Sequence, residues 1–435
     1  MRPRSLISVV AVTGAAFAVT AVFALNSREP NPATAAARGP QSATDQINSA
    51  QAVLRTDSDN EDALANLAKA SLTRAKETAD SNWYGRADTA VRGALAGNPR
   101  NVLALEAAGT LANARHRFAD AIGPATKALK FAPDRFASLE ILTDAQIELG
   151  RYRDGFATAE KRLRLRPDLS SYSRASYAAE LRGERDLAIA LMEQAVDAAR
   201  AGSGDRAWAQ VQLGLLRLGS GDLTGARREV RAARTSAPND ATALAGDAHV
   251  RAVSGQLNEA ADLYRRALDI LQIAGSASSL AEIESVRGNA AEAERYLELS
   301  RQIDAREVVN GVQLDLDQAA VEANFARPDA DLVDRARRGH EFRPGVVGDD
   351  ALGWVLTRAG KCDEGLRYAR RSLRLGTQDA TMLFHAGMAA RCAGETVEAT
   401  RYLKRAIDLN PRFSVRWADT ARSTLAALRS GQMRS

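Results

Sequence analysis

Aromatic residues make up only 5% of this 435-residue chain, histidine occurs four times and cysteine twice. Each scarcity excludes something. His116, His249, His340 and His385 stand far apart and form no ligand pair at metal spacing. There is no Gly-rich phosphate loop, since Gly219-Ser220-Gly221 reads as a turn, and no nucleophile elbow. The carboxylates are scattered along helical segments, so the chain is expected to be neither an enzyme nor the holder of a metal or cofactor. The formal charge of +5 is small for this length. No basic stripe is interleaved with aromatics, which speaks against nucleic acid as a partner. Lysine is sparse, and arginine supplies nearly all the positive charge.

What is present begins at the N-terminus. Arg2 and Arg4 precede an uncharged run over residues 6–25. As a helix it would span about 30 Å, the thickness of a bilayer core. Two small-residue sites, Val22-Phe23-Ala24 and Ala33-Thr34-Ala35, offer places for cleavage. Residues 1–25 therefore read either as an uncleaved membrane anchor, a tether through 6–25, or as a cleaved signal peptide. Both place the body of the chain outside the cytoplasm. No cysteine follows the run, which excludes a lipoprotein anchor. Residues 26–41 are rich in Pro, Ala and Gly without apolar periodicity and read as a flexible linker.

From residue 42 onward the chain repeats every 34 residues. Gly353, Gly360 and Ser372 recur as Gly387, Gly394 and Ala406, and Pro99, Pro133 and Pro167 fall one period apart. Gly109, Ala121 and Ala128 mark the same ruler, as do Gly214, Gly221, Ala226 and Ala233. Small residues at such offsets let paired helices cross closely, and proline ends the second helix because it lacks the donor a further turn needs. This spacing resembles the tetratricopeptide (TPR) repeat. The resemblance implies an all-α fold, a right-handed α-solenoid of about ten helix pairs over 42–412. A half-unit at 42–56 leads it, and a capping helix and tail at 413–435 close the open end. Residues 310–344 read as a divergent repeat, and residues 80–85 as a stretched connection.

On the TPR frame the first helix of each pair lines a concave groove. The groove positions are then Glu106, Asn113, Glu140, Asp144, Glu148 and Glu180, an acidic strip, followed by His249, Glu282, Asp350 and Trp354. Arginine clusters on the second helices, including Arg162, Arg164, Arg166, Arg227, Arg228, Arg231, Arg370, Arg371 and Arg374, would make the outer face basic. Cys362 and Cys392 flank the turns of adjacent units, which stack side by side. They are candidates for a disulfide, or else two buried thiols. The function this implies is an extracytoplasmic scaffold that binds a protein or peptide in its groove. The alternative is a binder of anionic envelope polymer or lipid through the convex arginines.

Overall fold

The computed structural model describes residues 42–432. The expected anchor or signal and the linker lie outside the described residues. Among those described, no helix is long and apolar enough to cross a membrane.

Among the described residues ten antiparallel helix pairs follow one another, from α2 (Glu61–Thr78) with α3 (Asn82–Gly97) to α20 (Ala380–Cys392) with α21 (Thr396–Leu409). A single helix α1 (Ala43–Leu54) precedes them and α22 (Ala418–Gln432) closes the array. The two helices of a pair start differently. First helices are often capped by a side chain that accepts from the first-turn backbone: Asn60, Asn101, Asp168, Asp240 and Asp379. Most second helices instead follow a tight turn with glycine in the left-handed region, as at Gly183 (φ 74°) and Gly360 (φ 83°). The small crossing residues are needed where expected: a Cβ on Gly387 would stand 2.7 Å from Leu403 Cγ. Ala121, Ala128, Ala226, Ala233, Ala399 and Ala406 are wholly buried at the equivalent crossings.

Three boundaries differ from the sequence reading. Trp83 and Tyr84 lie on α3, so the expected stretched connection shrinks to residues 79–81, with Ala79 in the left-handed region. The divergent unit forms two regular helices, α16 (Asp315–Phe325) and α17 (Ala330–Phe342). The closing helix begins at Ala418, because residues 410–417 run inward as an irregular segment.

The array also closes on itself, through contacts that recur one repeat apart. The Gln313 N–H donates to the Arg115 carbonyl (3.0 Å) and Arg115 Nε to the Asn310 carbonyl (2.9 Å). One unit on, Arg343 Nε donates to Glu148 and the Val346 N–H to the Tyr152 hydroxyl. Next, the Thr377 hydroxyl donates to the Leu181 carbonyl (2.7 Å) and Gln378 to the Gly183 carbonyl (3.2 Å). Finally Asn410 Nδ2 donates to the Leu218 carbonyl (3.0 Å). The hairpin turns of one stretch of units thus meet the inter-unit loops of units between five and six periods later. An apolar cluster fills the space behind them, joining Ile147, Tyr177, Leu181 and Trp208 to Val346, Val347 and Met382. Several of the first helices consequently face protein on nearly every side. In α6 (Phe136–Glu148), α14 (Ala274–Val286) and α18 (Val346–Arg358) nearly every side chain is buried.

Cys362, the first residue of α19 (Cys362–Ser372), and Cys392, the last of α20, are joined as a disulfide with Cα atoms 5.1 Å apart. The closed loop spans 30 residues, for which chain entropy gives roughly 3–4 kcal/mol. Reduction is expected to lower the unfolding free energy by about that amount and so to lower the denaturation midpoint, measured on matched samples with and without reductant. An unchanged midpoint would count against the bond's contribution.

Candidate functional site

Most of the expected groove strip is internal structure. Glu106, 4% exposed, accepts from Arg135 (3.0 and 2.7 Å) and from Ser138 (2.9 Å). Glu140, 2% exposed, accepts from Arg162 Nε and Nη2 (2.9 and 2.7 Å). Asp144 is gripped by Arg174 through both oxygens (2.8 and 2.8 Å); burial pushes its carboxyl up and Arg174 opposes the push. Asn113 donates to the Ile141 carbonyl (3.0 Å). Glu148 is held by Arg343 and Tyr177. Asp350 and His385 form a buried pair (3.0 Å), with His385 stacked on the Trp354 ring. Trp354 donates to Asn324 (2.9 Å), which donates in turn to Glu282 (3.1 Å). These residues do not form an open strip. Their partners sit on the same helix pair (Arg162 for Glu140), on a neighbouring unit (Arg174 for Asp144) or across the closure (Arg343 for Glu148), so the charges are consumed in holding the array together.

The convex arginines divide likewise. Arg162 is buried, while Arg370 pairs with Glu398, and Arg371 and Arg374 with Asp349. On α11 (Leu223–Ser236), by contrast, Arg227 and Arg231 have no ion-pair partner among the described residues and line an open surface depression with Arg228 and Thr235.

Glu180 and His249 keep access to an interior space. A cavity of about 60 Å³ lies between α8 (Leu169–Leu181), α10 (Gly204–Gly219), α12 (Ala241–Val253) and the start of α20. Glu180, His249 and Asp379 line it, with Tyr177, Trp208, Gln212 and Phe413. A smaller cavity shares His249 and Phe413 and reaches Glu282. Burial, helped by the nearby Asp379 charge, pushes Glu180 up to about 8. Burial pushes His249 down to about 4, so that ring is neutral at pH 7. Glu282 is raised by burial to about 7, with Arg416 and Asn324 opposing.

Trp208, Gln212, Asp379 and Phe413 escaped the sequence reading. For Phe413 one signal was available: Pro411 cannot continue the preceding helix, so the residues that follow leave the repeat pattern. Asn410 to Trp417 lies against the inner face, with Arg416 Nη1 donating to Ser285 (2.9 Å) and Trp417 to Asn324 (3.3 Å). Among the described residues no group of three His, Cys, Asp or Glu side chains is placed to hold a metal ion.

No family model and no curated protein matches the chain. Solved structures resemble it as helix-pair solenoids. A tetratricopeptide repeat protein from Parabacteroides merdae is 16% identical, covering 60% of this chain and 92% of that one, with a TM-score of 0.43. The APC/C hetero-tetramer Cut9–Hcn1 is 15% identical over 89% of this chain and 93% of that one, with a TM-score of 0.40. YrrB, a TPR protein with an unusual peptide-binding site, is 16% identical over 47% of this chain and 97% of that one, with a TM-score of 0.30. At this level of identity and superposition these likenesses carry no conclusion about what the chain binds.

Proposed function

We propose that this TPR-type solenoid is a scaffold that holds a protein or peptide partner on its inner face along α8, α10, α12 and α14. The observation that carries the reading is the cavity pair. There Glu180 and Gln212 line a space in which neither has a hydrogen-bond partner among the described residues. Such groups are costly unless something completes them. We place the scaffold outside the cytoplasm. The apolar run ahead of the array and the joined Cys362–Cys392 pair support that placement.

A second reading rests on α11. Its unpaired Arg227 and Arg231 suit an anionic polymer or lipid surface. A photo-crosslinking side chain at Leu215, which lines the cavity, separates the two when compared with the same side chain at Arg231 in intact cells. The expected result is a protein captured from position 215 that binds the purified scaffold directly. Capture from position 231 alone, or of polymer or lipid, would overturn the inner-face reading.

A further inference from the structure

The cavity beside α8 carries a charge imbalance that the fold leaves uncorrected. Glu180 has neither hydrogen bond nor ion pair among the described residues, and no basic residue weighs on its carboxyl. Asp379 uses Oδ1 to cap α20, accepting from the Met382 N–H (2.7 Å). Behind it, Asp350 is matched by His385 (3.0 Å). His249 is the one basic side chain on the wall, and burial keeps it neutral at pH 7. Tyr177, also on the wall, points its hydroxyl to Glu148, whose charge Arg343 answers. What remains is two carboxyl groups without a basic partner, both raised by burial so that Glu180 keeps its proton at pH 7 in the empty site, beside the rings of Tyr177, Trp208 and Phe413. Gln212, only 7% exposed, lines the same space with no hydrogen-bond partner among the described residues. The volume, about 60 Å³, is several times the ~10–15 Å³ that one water requires.

We propose that this cavity receives one basic side chain of a peptide partner, a guanidinium or ammonium on an aliphatic stem. Glu180 and Asp379 serve as its counter-ions, the Gln212 amide oxygen as a further acceptor, and the aromatic rings as the wall for the stem. A buried cation is tolerated only when paired and hydrogen-bonded, and the walls supply both. The chain contains its own example next door. Arg416 lies over the Phe325 and Trp417 rings (5.2 and 5.3 Å), donates to Ser285, and acts on the Glu282 carboxyl. Because Glu180 is held up to about 8 in the empty site, a cation must displace its proton. Affinity therefore rises with pH, by up to about tenfold per unit, and levels off above that value.

The proposal rests on the inner-face reading above and is tested without any cellular partner. The full chain is titrated calorimetrically with N-acetyl-arginine amide and with an arginine-centred, otherwise alanine pentapeptide, at pH 6 and pH 8.5. Both are expected to bind, more tightly at pH 8.5, and Glu180→Gln is expected to weaken both by about tenfold or more. Thermal melting of that variant establishes that the fold is retained. Binding of neither probe, or binding indifferent to Glu180→Gln, would overturn the proposal. Binding of the free cation without the peptide would overturn the peptide source and assign the cavity to a small amine. Failure of both probes while Leu215 still captures a protein would leave the inner-face reading standing and remove only this inference.

Discussion

Replacing Glu140 by alanine is expected to destabilise the solenoid by about 3–5 kcal/mol, the range for removing one partner of a buried ion pair. The guanidinium it answers belongs to Arg162, 1% exposed, which also reaches Asp168 (2.8 and 3.0 Å) and the Arg166 carbonyl (2.6 Å). Arg162 lies over the Phe136 ring as well (4.9 Å). Arg174 stands 3.7 Å from the other oxygen of Glu140 while gripping Asp144. Without Glu140, two buried guanidinium groups share the charge of Asp144 and Asp168. Glu140→Gln keeps an acceptor and is expected to cost less. The double variant Glu140→Ala with Arg162→Ala is expected to fall short of the sum of the single effects, since each single change strands the other's charge. Equilibrium denaturation of the three variants measures this. A loss below about 1 kcal/mol for Glu140→Ala would return the residue to the role of a solvated surface carboxylate. The same geometry means that charge reversal at Glu140 and Asp144 disrupts the fold, so it is no test of partner binding.

Arg343→Ala is expected to have a comparable effect for a different reason. Arg343 is 3% exposed and joins units far apart in sequence, donating from Nε to Glu148 and from Nη1 to Asp317 (3.1 Å). Glu148, 7% exposed, would be left with the Tyr177 hydroxyl alone. The expected loss is again about 3–5 kcal/mol, and it falls on closure of the array instead of on one helix pair. Gly183 makes the closure sensitive one unit on, where it meets Gly376 and Gln378. Its φ is 74°, and a Cβ there would overlap the Gly376 carbonyl oxygen. Amide exchange separates the two consequences. Arg343→Ala should raise exchange in the loops at 310–314, 343–346 and 376–379 and in the opposing hairpin turns, while the helix-pair crossings stay protected.

Closure was not readable in the sequence, and the reason is specific. Its acceptors include the backbone carbonyls of Arg115, Leu181, Gly183 and Leu218, which every residue type offers. The repeat itself was readable because a close helix crossing tolerates only small side chains, as Gly387 against Leu403 illustrates. The Cys362–Cys392 pair was readable for a related reason: in a stack of like units, equivalent turns are neighbours. The groove carboxylates misled because helix position alone does not distinguish a charge facing water from one facing an arginine of its own pair or of the next unit. The partners of Glu106, Glu140 and Asp144 are Arg135, Arg162 and Arg174, each within about one repeat. A further cue lay in the runs Ser170–Ser173 and Ser276–Ser279 on first helices. Small residues on more than one face signal close neighbours on more than one side.

The closed array is the centre of this account, because closure makes the inner face a cavity instead of an open groove. Glu184 and Gln378 are both exposed and flank the contact between the Gly183 carbonyl and Gln378. With the native cysteines tied to each other, cysteines introduced at these two positions are available to a short bis-maleimide. In the Glu184→Cys, Gln378→Cys chain the reagent is expected to link the two sites within one molecule, and Arg343→Ala should reduce the yield. Efficient labelling of both thiols without an internal link would show an open solenoid and contradict the account.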